Sequence, residues 1–97
     1  MLTGKQRSYL KGLANKLDPL FQIGKGGINE NFVEQIDGAL ETKELIKINI
    51  LQNSLVEPEE AIQELIEKTG AEYVQCIGSR LVIYRESKDN KKINLPR

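Results

Sequence analysis

The segment Phe21-Gln22-Ile23-Gly24-Lys25-Gly26-Gly27-Ile28-Asn29-Glu30-Asn31-Phe32-Val33 joins three structural signals in one short run. An apolar strand comes first, followed by a turn with three glycines and one lysine, and then the start of a helix. Glycine lacks a Cβ atom, so the chain can bend sharply and a bulky anion can approach its backbone. The helix that follows offers unpaired N–H groups and a partial positive charge. We therefore predict a βα turn that cradles phosphate, and its contact residues are Gly24, Lys25, Gly26 and Gly27.

A tight turn whose glycines serve only geometry is the alternative interpretation of this segment. Two better known phosphate motifs are absent from it. The Walker A loop lacks its Gly-Lys-Ser/Thr ending, and the dinucleotide-binding fingerprint would need a glycine where Asn29 stands. What remains is Gly24-x-x-Gly27 before a helix, which is the spacing of the KH loop that clamps a nucleic-acid backbone. On its own, this spacing does not separate the two interpretations.

The charges of the chain are strongly segregated although its formal net charge is zero. Residues 1–29 carry five cations and one acid, residues 30–79 carry three cations and eleven acids, and residues 80–97 carry six cations and two acids. If the two basic ends meet in the fold, they form one positive face suited to a polyanion. The alternative is two separate solvated surfaces.

Composition narrows the class of protein further. With 97 residues, of which 39% are hydrophobic, the chain should form one domain, 1–97, with a modest core. No apolar run approaches the ~18 residues of a membrane span and no signal peptide is apparent, so we expect a soluble, cytoplasmic protein. The lone Cys76 fits a reducing compartment. Because the chain has no histidine and a single cysteine, we predict no ordinary zinc site and no histidine-based triad. We also expect no cofactor and no catalytic residue.

Periodicity predicts an α-β-α-β-α-β-β order, hence an α/β domain with a mixed four-stranded sheet and packed helices. The predicted elements are a helix from a Thr3 cap to about Leu17, a strand Leu20–Ile23, a helix from an Asn29 cap to Thr42, a strand Leu45–Leu51, a helix from Pro58 to Gly70, and strands Glu72–Ile77 and Arg80–Arg85. Gly78-Ser79 predicts a type II′ hairpin turn between the last two strands. Residues 86–97 form a polar, basic tail that we expect to be loosely held.

The first helix carries cations on both shoulders of its apolar arc. Arg7 and Lys11 share one shoulder, whereas Lys5 and Lys16 share the other. Such side chains often only extend along apolar surface. Here no acid precedes Asp18 to pair with them, which favours an anionic partner. Lys47, on the polar side of the second strand, is added to this set of predicted contacts.

The acidic middle of the chain suggests two other functions. The second helix aligns four acids, which we interpret as a solvated face turned away from any nucleic acid; they are Glu30, Glu34, Asp37 and Glu41. The acidic middle could also make the protein an adaptor that docks on basic proteins, which need not exclude binding of a nucleic acid. An enzyme acting on a phosphorylated small molecule is the remaining alternative. Near the glycine turn, however, only Glu30 and Lys25 could act, and neither has a recognisable catalytic partner.

Several segments together resemble the CRM domain (chloroplast RNA splicing and ribosome maturation), and the end of the chain resembles its stand-alone bacterial YhbY-type members. The segments are Gly12-Leu13-Ala14, Leu20 to Gly27, Glu44 to Ile48, Val74 to Arg85 and Lys92 to Arg97. Asn15 departs from the family, where histidine is frequent. The resemblance implies a fold similar to the C-terminal domain of translation initiation factor three. It also implies RNA binding without catalysis, association with precursors of the large ribosomal subunit, and a family glycine loop at Gly24–Gly27.

Overall fold

The computed structural model describes residues 2–97 and has the predicted order of elements. The elements are α1 (Gly4–Ala14), β1 (Phe21–Ile23), α2 (Glu30–Lys43), β2 (Leu45–Ile50), α3 (Pro58–Thr69), β3 (Glu72–Ile77) and β4 (Arg80–Tyr84). The α-β-α-β-α-β-β prediction and the mixed four-stranded sheet are confirmed. Apart from α1, the bounds of the helices and strands lie within about one residue of those predicted, as expected where the apolar period is regular.

The strands are arranged in the order β1-β2-β4-β3, so β1 and β3 form the two edges. β1 runs parallel to β2, with α2 as the crossover helix, while β2 and β3 each pair antiparallel with β4. Gly78 has φ 56° and Ser79 lacks a positive φ, as a type II′ turn requires. The predicted hairpin is therefore confirmed.

The sheet has a core on each face. α2 and α3 cover one face, and the larger cluster there consists of Ile23, Ile36, Leu40, Ile46, Ile48, Ile50, Ala61, Ile62, Leu65, Ala71, Leu81 and Ile83. α1 packs on the other face, where the smaller cluster consists of Leu2, Leu10, Ala14, Leu45, Val74, Val82 and Tyr84. Because neighbouring strand residues point to opposite faces, β2 and β4 contribute to both clusters.

Local hydrogen bonds fix where the first two helices begin. The Thr3 hydroxyl accepts from the Gln6 N–H at 3.1 Å, and the Gln6 amide oxygen accepts from the Thr3 N–H at 3.0 Å, forming a capping box. The Asn29 side chain accepts from the Phe32 N–H at 2.8 Å. Both predicted caps are confirmed.

The prediction that α1 extends to about Leu17 is wrong, because the helix ends at Ala14. The N–H groups of Lys16 and Leu17 bond to the carbonyls of Leu13 and Ala14, at 3.2 and 3.0 Å. Such bonds between residues three apart tighten the last turn and release the chain toward β1. Lys16 therefore lies beyond the helix on which the sequence placed it.

The C-terminal segment is attached to the domain through Glu44, which lies between α2 and β2. The Glu44 side chain is fully buried, and its carboxylate accepts N–H groups of Ser87, Lys92 and Ile93 at 2.7, 2.7 and 2.8 Å. Burial alone would raise the pKa of this carboxyl, but these three hydrogen bonds and the charge of Lys91 hold the pKa below its usual value. The carboxylate is therefore charged at neutral pH and tied to the tail.

Further contacts hold the tail against α1 and α2, so the expectation of a loosely held segment does not describe it. Ile93 and Leu95 pack on the smaller core cluster, and the Gln6 side-chain amide donates to the Pro96 carbonyl at 3.0 Å. Glu41 accepts from the Ser87 hydroxyl at 2.6 Å, and this bond contributes most to lowering the pKa of Glu41.

The four acids of α2 lie on a mostly solvated face, as the sequence suggested, but two of them also make contacts. Glu30 and Glu34 are exposed, but Glu41 binds the tail and Asp37 pairs with Arg85. The Arg85 guanidinium also donates to the Thr69 carbonyl at 2.7 Å and to the Asp37 carbonyl at 3.0 Å. Arg85 thereby ties the C-terminal end of α3 to α2.

Candidate nucleic-acid interface

The sheet separates the positive helix from the two negative ones. α1 carries three cations and no acid, and it covers one face of the sheet. α2 and α3 together carry eight acids and two lysines, and they cover the other face. The segregation of charge along the sequence thus becomes a segregation between opposite sides of the domain. A polyanion would be attracted to the α1 side and repelled by the other.

Strand register assigns further polar side chains to the α1 side of the sheet. Lys47 pairs with Val82, which belongs to the core cluster beneath α1, so the two side chains share that face. Asn49 of β2, two residues beyond Lys47, pairs with Arg80 of β4 on one side and with Gln22 of β1 on the other. Lys47, Arg80, Asn49 and Gln22 therefore point to the same side as α1. Lys47 and Asn49 are half-buried, while Gln22 and Arg80 are exposed.

The glycine turn is open to solvent at the end of edge strand β1. The Gly27 N–H bonds to the Gly24 carbonyl at 3.0 Å, which closes a four-residue turn with Lys25 and Gly26 at its tip. Gly27 has φ 67°, a conformation that favours glycine, so its lack of a side chain is a geometric requirement. Lys25 and Gly26 are exposed, and a Cβ atom added at Gly26 would meet nothing within 4 Å. A phosphate can therefore reach the backbone at the tip.

The predicted cations fall into separate groups around this face. Arg7 borders a cavity of about 510 Å³ beside Tyr73 at the start of β3, whereas Lys25 follows β1 at the opposite edge. Three strand spacings, or about 14 Å, separate those edges. A ligand that touches both Arg7 and Lys25 must therefore span the width of the sheet, as a nucleic-acid chain can.

The remaining cations of the predicted site also lie in different places. Lys11 is half-buried and lies on the same shoulder of α1 as Arg7, four residues away. Lys5 is exposed near the start of α1, and Lys16 lines a separate cavity with Lys43 and Lys92. No ion pair within residues 2–97 involves Lys5, Lys11, Lys16, Lys25 or Lys47. Their charges are available to a ligand.

Arg7 has a buried Nε atom with no hydrogen-bond partner in the described part of the chain. A buried donor that lacks a partner is costly unless a ligand or water satisfies it. The role of Arg7 in binding a ligand stays a prediction. The sequence did not single out Arg80, because its place opposite Asn49 depends on the pairing of β2 with β4, which no local signal predicts.

The described residues 2–97 contain no group of three or more acidic, histidine or cysteine side chains that could hold a metal ion. None of the helices in that range is both long and apolar enough to cross a bilayer. Cys76 is half-buried and packs against the larger core cluster, and burial raises the pKa of its thiol. Its place in the core agrees with the interpretation from sequence.

The family assignment follows from sequence comparison. Residues 2–85 match the profile of the CRS1 / YhbY (CRM) domain. The chain belongs to this family. Among its relatives, the Probable RNA-binding protein YqeI of Bacillus subtilis is 47% identical over 96 residues, which cover 99% of this chain and 100% of that protein. A protein of Haemophilus influenzae named RNA-binding protein is 38% identical over 96 residues, which cover 99% of this chain and 96% of that protein.

A solved structure supports the fold of this CRM domain. The solution structure of hypothetical protein SAV1595 from Staphylococcus aureus, described as a candidate RNA-binding protein, superposes with a TM-score of 0.73. The two chains are 56% identical, and the match covers 99% of this chain and 100% of the other. The likeness to the C-terminal domain of translation initiation factor three stays a prediction.

Proposed function

We propose that this CRM-domain protein is a non-catalytic RNA-binding protein that holds an RNA backbone across the α1 side of its sheet. The observation that carries the proposal is the separation of charge, with a basic helix on one face and eight acids in the two helices on the other. The names of the relatives as RNA-binding proteins agree with it. The proposed contact residues are Gly24, Lys25, Gly26, Gly27, Lys5, Arg7, Lys11, Lys16 and Lys47, to which register adds Arg80.

In this mechanism the glycine turn holds one phosphate group. Backbone N–H groups at the tip donate to phosphate oxygens, Lys25 adds a full charge, and the N-terminus of α2 lies just behind. Lys47 and Arg80 continue the contact across the sheet, and Arg7 with Lys11 completes it along α1. Lys16, which lines a different cavity, contributes least. Contacts of this kind position the backbone and carry no base sequence by themselves.

Structured RNA recognised by its shape suits this surface better than a long single strand. Single strands are commonly held by exposed aromatic platforms on which bases stack. Here Phe21 and Phe32 pack edge to face with their ring centres 6.1 Å apart, and Tyr84 is buried. Tyr9, at 42% exposure, is the one large aromatic exposed within residues 2–97. One ring does not make a platform.

The proposed target is ribosomal RNA in precursors of the large subunit. This choice depends on the resemblance to stand-alone bacterial family members, since the chain itself contains no base-reading motif. Crosslinking in cells, followed by sequencing of the bound RNA, tests the choice directly. Enrichment of large-subunit precursor RNA is the expected result, and a population of crosslinks confined to other RNAs would reject this target while leaving RNA binding intact.

The adaptor hypothesis for the acidic surface remains a second candidate, because the acids of α2 and α3 outnumber their lysines by eight to two. Some of those acids are already engaged, Asp37 by Arg85, Glu41 by the tail and Glu64 by Lys68. A pulldown after nuclease treatment separates the hypotheses, since basic ribosomal proteins retained without RNA favour the adaptor. Loss of every partner with the RNA favours RNA binding alone.

The decisive experiment measures RNA affinity against salt concentration for an RNA hairpin. Lys25→Glu and the double variant Arg7→Ala/Lys11→Ala should each bind more weakly, and each lost phosphate contact should reduce the slope of log affinity against log salt by roughly one unit. Lys68→Glu, in the last turn of α3 on the acidic side, is the matched control and should leave the slope unchanged. Circular dichroism checks folding. Wild-type affinity in both folded test variants would refute the proposed surface.

A further inference from the structure

A second basic feature lies away from the glycine turn, at the N-terminal end of β2. It is a groove of about 420 Å³ between the end of α1, the end of α2 and the tail. Its floor is aliphatic and its rim carries three lysines; the lining residues are Leu13, Leu17, Leu45, Ile93, Lys16, Lys43 and Lys92. The lining contains no acid.

The groove continues onto exposed apolar surface beside it. Leu17 is 38% exposed and Leu20 is 49% exposed. Both border an adjoining cavity of about 150 Å³ that Lys43 and Lys47 also line, with Asp18 as its one acid. Large exposed aliphatic side chains that adjoin one another are unusual on a monomer surface and commonly mark an interaction site.

The rim lysines have no carboxylate partners of their own. None of Lys16, Lys43 or Lys92 forms an ion pair within residues 2–97, although Lys91 pairs with Glu86 at 3.7 Å. The Lys92 backbone is fixed by its N–H bond to Glu44 at 2.7 Å, and Lys43 is the last residue of α2. Backbone anchoring therefore keeps Lys43 and Lys92 beside the apolar floor.

Protein side chains fit this groove better than RNA does. Bases stack on aromatic rings or on arginine planes, and the groove has neither. Lysine is a compact point charge that binds carboxylates and phosphates alike, but an aliphatic floor suits leucine, isoleucine or phenylalanine. An occupant complementary to both features carries carboxylates around one or two large apolar side chains.

We propose that this groove docks an acidic, amphipathic segment of a partner protein. The surface differs from that of the adaptor hypothesis above, which uses the acidic α2–α3 side, and the partner is of the opposite charge. It does not include the glycine turn, but it shares Lys16 with the proposed RNA contacts, and the adjoining cavity shares Lys47 with them. The protein would then hold RNA and an acidic protein segment at the same time.

The test uses a fluorescently labelled synthetic peptide of glutamates with two leucines on one helical face, titrated into the full chain and followed by anisotropy. Saturable binding is expected, and the same peptide with serine for leucine should bind roughly tenfold more weakly because it loses the apolar contact. Leu17→Ser and Lys43→Glu should each weaken peptide binding by roughly tenfold. Their matched controls, Leu55→Ser and Lys68→Glu, alter an exposed leucine and a last-turn lysine elsewhere and should have no effect.

A saturating RNA hairpin should leave the peptide bound, and Leu17→Ser should keep its RNA affinity. The proposal is overturned if the peptide does not saturate at millimolar protein, if the serine peptide binds equally well, or if the test variants match their controls. It is overturned also if RNA displaces the peptide, which would make the groove part of the RNA surface. If the protein fails to bind RNA, only the titration with RNA shows it. That result would refute the proposed RNA surface, and the peptide titration would still test the groove.

Discussion

Replacing Glu44 by glutamine should release the C-terminal tail and destabilise the domain. In the native chain one carboxylate oxygen accepts the N–H groups of Lys92 and Ile93, and the other accepts the Ser87 N–H. Glutamine keeps one acceptor oxygen but sets an NH₂ group against one of these donors, and it removes the charge from the remaining bonds. With about 1.5–3 kcal/mol for a hydrogen bond to a charged group and about 1–3 kcal/mol for a buried unsatisfied donor, the expected loss in unfolding free energy is roughly 2–4 kcal/mol.

The pH dependence gives this prediction a second signature. The pKa of Glu44 is lowered in the folded state, so its stabilisation is fully present above the pKa of the unfolded chain and is lost as the pH falls through the folded pKa. Wild type and Glu44→Gln should therefore differ most near neutral pH and converge in acid, below the ordinary value of 4.5.

Urea unfolding at several pH values measures the free energy, and amide hydrogen exchange measures the tail itself. The N–H groups of Ser87, Lys92 and Ile93 should lose protection in the variant, while those of the β2–β4 ladder keep more of theirs. Glu86→Gln, an exposed acid in the same segment, is the control and should change little. A variant as stable as wild type at neutral pH, with the three amides still protected, would refute the role assigned to Glu44.

Two further substitutions test particular backbone and side-chain claims. Gly27→Ala places a side chain at φ 67° and should destabilise the domain by about 1 kcal/mol, as measured by thermal unfolding. Gly26→Ala is the control and should be tolerated better, because a Cβ atom there meets nothing within 4 Å. The Tyr84 hydroxyl is buried without a partner in residues 2–97, and burial followed by the Glu44 charge raises its pKa to about 12. Tyr84→Phe should therefore be neutral or stabilising by up to about 1 kcal/mol, and a clear loss of stability in urea would reveal a hydrogen bond that this account lacks.

Much of the fold could be predicted because its signals are local. The alternation of Ile46, Ile48 and Ile50, the Asn29 cap and the Gly78-Ser79 turn each act within a few residues. Strand order does not follow from such signals, because it depends on which residues pair across long separations. For this reason the sequence could not show that Arg7 and Lys25 lie at opposite edges of the sheet.

The role of Glu44 could not be predicted from the sequence either. In the chain it is one acid among eleven in the acidic middle, and only the fold brings it beneath Ser87 and Ile93, more than forty residues away. The end of α1 was predicted three residues too late, because Leu17 continues the apolar period although the helix ends at Ala14. That short helix is also what brings Lys16 into the groove with Lys43 and Lys92.

The central claim is that RNA binds the α1 side of the sheet, and its most direct test is to map amide chemical shifts of the labelled protein during titration with an RNA hairpin. We expect shifts at Gly24–Gly27, Lys11, Lys47 and Arg80, with signals of the outward surface of α3 unchanged. Shifts concentrated on α3, with the glycine turn and Lys47 unaffected, would contradict it.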